Sequence, residues 1–298
     1  MELQINLLDF HTLVDIINKN VAKLLELFKL KMVYFRIVTG KGMEFDRLRE
    51  YTDSDDASSI DWNATARTTK PYVKVFKEER MLDIVLVIDT SNTMLIGTTP
   101  LTKNEYASVV AGILGYTAIN AGDKLGAIFF SDKVKFILDP SNSMDNFYSM
   151  VKLMTNKSNY GGVKNWDSIS KILLETFGPD TVLFILSDFM RTSPQMFNDL
   201  EKYANKFRAV FGIMIRDPRD SELPKGVGNI YLEDPDTGRI SLVNVDKIRD
   251  EYNKLTKRQE AFIERIFRNA GAYFFKVHTD EDFVEMFIKF FNKTITEL

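Results

Sequence analysis

Three stretches of this 298-residue chain are almost wholly aliphatic or aromatic, and each stops on an aspartate: LDIVLVID ending at Asp89, TVLFILSD ending at Asp188 and AVFGIMIRD ending at Asp217. Their length and apolar density are those of parallel strands buried on both faces. Helical patterns lie between them. Thr102 and Glu105 make a capping box for a helix running towards Asn120, with Gly122 at its C-cap. DSISKILLETFG reads as a helix closed by Gly178, NDLEKYANKF as another, and residues 246–270 as a long amphipathic helix ended by Gly271. LGAIFF and VKFIL, split by SDK, read as a hairpin; AYFFKV reads as a last strand, with Thr279 capping a final helix. Strands alternating with helices imply an α/β fold: a three-layer, doubly wound, mostly parallel sheet. In such sheets ligands bind beyond the carboxyl ends of the strands, where Asp89 and Asp188 both fall.

The N-terminal segment differs. Leu13, Ile16, Ile17, Val21, Leu24, Leu25 and Phe28 recur at helical spacing, and a polar, turn-rich stretch follows from Gly40 to Arg67. The expected division is an N-terminal segment, residues 1–70, and an α/β domain, residues 71–298. Asp15, Lys19, Lys23, Glu26 and Lys29 break the apolar run, so no segment reaches the ~18–20 residues of a transmembrane helix, and the start lacks a signal peptide's order. The expectation is a soluble, cytoplasmic protein. A net charge of −3 leaves no basic excess to neutralise phosphates, which argues against a general nucleic-acid binder. With no cysteine, disulfide, thiolate-nucleophile and zinc–thiolate chemistry are excluded.

Few motifs carry chemistry. GTTPLTKN lacks the second glycine before Lys103 and the hydroxyl residue after it, so it fails as a phosphate loop; Gly40 and Gly42 have no third glycine and fail as a dinucleotide fingerprint. His11 and His278 have no nucleophile placed beside them by any motif and read as structural. What remains is Asp89-Thr90-Ser91-Asn92-Thr93. One reading is a strand-to-helix turn whose short polar side chains bond nearby amides. The other is a cation site: a carboxylate ending an aliphatic strand must be solvated or paired, and oxygens at i, i+2 and i+4 turn towards one point. A phosphohydrolase of the haloacid dehalogenase type also carries DxDx(T/V) after a strand, but its second aspartate, the general acid, is Ser91 here.

At this point the chain resembles the DUF58 family, whose members carry a von Willebrand factor A-like domain. The resemblance runs through Gly40, Gly42, Glu44-Phe45, Arg49-Glu50-Tyr51, Asp55-Asp56, Ile60-Asp61-Trp62, Ala66-Arg67, Val73-Lys74, Phe76, Glu79-Arg80 and the Asp89 loop. It continues through Gly122-Asp123, Ser187-Asp188-Phe189, Asp217-Pro218, Leu223-Pro224 and Glu233-Asp234. It implies a metal-ion-dependent adhesion site in which Asp89, Ser91 and Thr93 hold Mg²⁺, or Mn²⁺, directly or through water, with Asp188 completing the site. An open coordination position would then accept a partner's carboxylate. The chain departs from that pattern at Thr93, where serine is usual, and at Val163, which follows Gly161-Gly162 where a threonine would supply a hydroxyl. In the Asp55–Trp62 block, the aspartates read as loop caps and Trp62 as a core aromatic, with Arg67 and Arg80 as partners for the carboxylates.

The resemblance further implies a partner, a MoxR-type AAA+ ATPase, and a chaperone-like role in maturing other proteins. The expectation is a binding protein without catalytic activity: an adaptor first, a scaffold with a vestigial metal site second, and a metal-dependent phosphohydrolase using Asp89 third.

Overall fold

The computed structural model describes residues 7–21, 45–52, 60–65, 70–76 and 81–296. Leu24, Leu25, Phe28, Gly40, Gly42, Glu44, Asp55, Asp56, Arg67 and Arg80 therefore lie outside the described residues, as does the suggested pairing of those arginines. The chain divides into two compact units, residues 26–80 and, together, residues 1–25 and 81–298.

In the smaller unit, strand β1 (Phe45–Glu50) pairs antiparallel with β2 (Tyr72–Phe76). A single helical turn, α2 (Trp62–Thr65), lies between them, and Asp61 accepts the Ala64 N–H at its start. That matches the expected loop cap. Trp62 does not match: it is 69 % exposed and is no core residue. The pairing of β1 with β2 places residues 72–76 in this unit, which runs to residue 80.

The larger unit contains a six-stranded sheet in the order β10-β7-β6-β3-β4-β5. Its strands are β3 (Asp83–Asp89), β4 (Lys124–Phe130), β5 (Val134–Ser141), β6 (Thr181–Ser187), β7 (Ala209–Arg216) and β10 (Tyr273–His278). All neighbours run parallel except the β4–β5 hairpin at one edge, as the SDK break indicated. The three aliphatic runs become β3, β6 and β7, the central strands, where both faces must be apolar. The sequence expectation of a three-layer α/β fold holds.

One face of the sheet is covered by α5 (Asp167–Thr176), α6 (Pro194–Lys206) and α8 (Val245–Asn269). Their buried residues Leu173, Leu200 and Phe267 join Val85, Val87, Leu183, Ile185 and Met214 in one core. Against the other face lie α3 (Lys103–Asn120) and α4 (Met144–Met154), and at its edge α9 (Phe283–Thr296) stacks Phe283 and Phe287 near Phe275 of β10. The helix over residues 10–21, α1, buries Leu13, Ile17 and Val21. Ile17 fills the notch that Gly112 leaves in α3, so this helix packs within the α/β unit.

Several helix ends match their sequence signals. Glu105 accepts the Thr102 N–H at 2.9 Å, and Gly122 and Gly271 adopt φ of +85° and +74° after α3 and α8. Two do not. After α5 the chain turns extended at Phe177, and Gly178 is not left-handed. Asp282, which accepts the Glu285 N–H, caps α9, whereas the Thr279 hydroxyl is bonded to Thr99. Elements that the sequence did not signal include α4, the short turn α7 (Pro218–Ser221), and a hairpin of β8 (Asn229–Glu233) with β9 (Ile240–Asn244).

Candidate functional site

Adjacent parallel strands bring the site together. Ile88 of β3 pairs with Leu186 of β6, so Asp89 comes level with Ser187, and Asp188 follows one residue on. The Ser187 hydroxyl donates to Asp89 Oδ2 at 2.6 Å, and the Ser91 N–H donates to Asp89 Oδ1 at 3.0 Å. Beyond Asp89 the chain enters a 3-10 turn over Asn92–Leu95, where Ser91 Oγ and Thr93 Oγ1 stand 3.3 Å apart. All four residues singled out from the sequence, Asp89, Ser91, Thr93 and Asp188, are buried at this rim.

Between the two carboxylates stands a lysine. Lys164 Nζ lies 2.7 Å from Asp89 Oδ2 and in direct contact with Asp188 Oδ1, and it donates to Ser187 Oγ at 3.2 Å. Its side chain is 1 % exposed. A second ammonium, Lys103 Nζ, lies 3.1 Å from Asp188 Oδ2 and 2.7 Å from Asp220 Oδ2. Burial by itself raises the Asp188 pKa, but the charges of Lys164 and then Lys103 outweigh it and hold the group well below the usual carboxylate range. Lys103 is likewise penalised by burial, yet Asp188 and Asp220 together raise its pKa. Unpaired, any of these charges would cost several kcal/mol to bury, so the network stands or falls as a unit.

The loop carrying Lys164 is fixed by its backbone. Gly161 N–H donates to Thr90 O at 2.8 Å, and Asn92 N–H to Gly162 O at 3.0 Å. The Asn92 side chain accepts the Gly162 N–H at 2.9 Å and donates to Asp236 at 3.2 Å. Asp236 lies in the tip of the β8–β9 hairpin and pairs with Arg191 at 3.0 Å. Phe189 and Arg191, just after Asp188, hold φ of 50° and 52°, an uncommon conformation for such residues. Phe189 is locked there by stacking on Trp166, with ring centroids 5.6 Å apart.

The resemblance-derived metal can be tested against this donor set. Asp89 Oδ1 accepts Ser91 N–H, and Oδ2 accepts Ser187 and Lys164; Asp188 Oδ1 accepts Met190 N–H and Lys164, and Oδ2 accepts Lys103. Magnesium binds carboxylate oxygens at ~2.0–2.1 Å. An ion reaching both carboxylates would need the place that Lys164 Nζ holds. Val163 is 44 % exposed and supplies no oxygen. With Lys164 so placed, the donor set does not fit a divalent ion bound directly to both carboxylates.

One expectation about histidine is corrected. His278 Nε2 does have a serine beside it, Ser221 Oγ at 3.0 Å, with Glu281 Oε2 3.4 Å from Nδ1. The arrangement has the outline of a nucleophile–base–acid set but the wrong proton direction. Ser221 Oγ also lies 2.7 Å from Glu260 Oε1, and Glu260 is pinned by Lys276 at 2.7 Å on its other oxygen. A carboxylate only accepts, so the hydroxyl proton points to Glu260, and His278 donates to Ser221 instead of withdrawing its proton.

Sequence reasoning missed Lys103, Lys164, Ser187 and Asp220. Lys103 carried a signal. A cation in the first turn of α3 opposes the helix dipole, which marks it as needing an anionic partner elsewhere. Lys164 had none, since its role depends on where the loop lands.

The fold and rim define an α/β protein with a doubly wound sheet and a buried ionic cluster at its carboxyl edge. The family described as "Protein of unknown function DUF58" matches residues 47–262, and the chain belongs to it. An uncharacterized protein of Mycobacterium tuberculosis (strain H37Rv) is 27 % identical over 259 residues, covering 85 % of this chain and 80 % of its own. One from Mycobacterium bovis has the same identity and coverage. The crystal structure of the conserved hypothetical protein BatB from Bacteroides thetaiotaomicron superposes with a TM-score of 0.50 at 13 % identity, covering 72 % of this chain and 99 % of that one. That likeness speaks to the fold alone.

Proposed function

We propose that this chain is a non-catalytic protein-interaction component, an adaptor acting in the cytoplasm with a MoxR-type AAA+ ATPase in chaperone-like maturation of other proteins. The observation that carries the binding part is the outer face of the β8–β9 hairpin. Tyr231 and Leu242 oppose each other across it, 75 % and 61 % exposed, and Ile240 beside them is also 61 % exposed. Exposed aromatic and aliphatic side chains grouped on a short hairpin mark an interaction surface. The hairpin tip is tied to Asn92 and Arg191 through Asp236, which presents this face from a fixed position. The identity of the partner rests on the family resemblance. The absence of catalysis is supported by Ser91, which cannot act as a general acid, and by the proton direction at Ser221. Among the described residues no helix is long and apolar enough to cross a membrane.

Capture of a purified MoxR-type ATPase on the immobilised chain tests the reading. Wild type should retain the ATPase, and Tyr231→Asp combined with Leu242→Asp should release it. No retention by wild type removes the partner; equal retention by the double variant removes this surface. The scaffold alternative expects no capture at all.

A further inference from the structure

We infer that Lys164 is a built-in cation: its ammonium fills the place a divalent ion would take between Asp89 and Asp188, and the chain holds this rim together without a metal. The inference is independent of the adaptor reading, because it concerns only what neutralises the two carboxylates.

Three observations carry it. Lys164 Nζ reaches both carboxylates and the Ser187 hydroxyl, the groups that any ion bridging β3 and β6 would touch. The carboxylates are also already supplied with cations, because Lys164 pairs with both Asp89 and Asp188 while Lys103 pairs with Asp188 and Asp220, so that two ammoniums are shared among three carboxylates. A dication added beside the two ammoniums would meet repulsion from both. Finally, the loop is built to deliver the lysine. The Gly161 and Gly162 backbones are bonded to Thr90 and Asn92, both glycines adopt φ near +95°, and the Lys164 ammonium lies 5.8 Å from the Trp166 ring centre. A side chain delivered by a fixed loop loses little freedom on pairing, so the position is pre-organised. At this point of the rim no coordination place is left open for a partner's carboxylate.

The same swap explains Val163. Where a metal needs a hydroxyl from this loop, an ammonium needs none, and residue 163 is free to be apolar and half out in solvent.

The test uses the full chain, Mn²⁺ in equilibrium dialysis, and thermal melts in Mn²⁺ and in EDTA. Wild type should leave Mn²⁺ evenly distributed and melt at one temperature in both buffers. Val163→Thr with Lys164→Ala restores the hydroxyl and empties the cation place; it should retain one Mn²⁺ per chain, melt higher in Mn²⁺ than in EDTA, and lose both properties when Asp89→Asn is added. One Mn²⁺ retained by wild type and lost in Asp89→Asn would overturn the inference, since the lysine would then yield its place. A folded double variant that ignores Mn²⁺ would overturn it too, because the ammonium would not be what excludes the ion. Should the double variant not fold, wild type against Asp89→Asn still decides.

Discussion

Lys164 Nζ lies 2.7 Å from Asp89 Oδ2, a contact made by residues 75 positions apart and buried from solvent on both sides. It joins the loop before α5 to the end of β3, and through Asp188 to β6. The sheet's carboxyl rim is thus tied across two strands and a loop by one ammonium.

Removing that ammonium leaves two carboxylates facing each other in a buried site. Lys164→Met should lower unfolding free energy by about 3–5 kcal/mol, the cost of breaking a buried pair by deleting one partner. Adding Asp89→Asn should cost much less than the sum of the single changes, with a coupling of about 0.5–3 kcal/mol. Urea unfolding of the four proteins measures the cycle. Strict additivity would mean the two side chains do not share an interaction.

Acid sensitivity should have a contribution from Glu260. Burial tends to raise its pKa, but the hydrogen bonds from Lys276 and Ser221, with the charges of Lys276 and Arg216, hold it below its ordinary value; His278 faces the same serine. A folded-state pKa below the unfolded one means stability is fully present above the unfolded value, about 4.3, and is lost as pH falls through the folded one. Glu260→Gln should be less stable than wild type at pH 7 and show a flatter loss between about pH 5 and 3. Parallel acid limbs in the two proteins would count against this assignment.

The aliphatic runs made the three central strands legible, because a strand buried on both faces has few other compositions open to it. The pairing of Asp89 with Asp188 at one rim followed from the same rule. The β8–β9 hairpin was not legible: Asn229–Glu233 and Ile240–Asn244 are mostly exposed, so burial imposed no pattern on them. Lys103 and Lys164 escaped for a different reason. Lysine is ordinarily a surface residue; the first-turn position of Lys103 in α3 signals an anionic partner, but which carboxylates enclose the two lysines is set by the tertiary arrangement.

The loop that delivers Lys164 should be intolerant of a side chain at residue 162. Gly162 holds φ of +96°, and a Cβ there would lie 2.8 Å from Asp132 Oδ1. Gly122 has φ of +85° with open space around it. Gly162→Ala should therefore destabilise the chain by about 1–3 kcal/mol, from backbone strain plus displacement of Asp132. Gly122→Ala should show the backbone part alone. Equal losses in chemical denaturation would show that the contact with Asp132 adds nothing.

The hairpin allows binding and folding to be separated. Tyr231 and Leu242 are mostly exposed, so Tyr231→Asp and Leu242→Asp should each change stability by no more than about 0.5 kcal/mol, as surface changes do. Asp236 is different: its side chain is 1 % exposed and it ties the tip to Arg191 and Asn92. Asp236→Ala leaves Arg191 with Asp234 as its remaining partner, at 2.9 Å, and frees Asn92 from the tip. Hydrogen exchange should then quicken at residues 229–244 while β3 and β6 stay protected, because the Lys164 ion pairs do not pass through Asp236. Faster exchange in β3 as well would mean that the hairpin tip and the ionic cluster open together, and the rim would have to be treated as one cooperative unit.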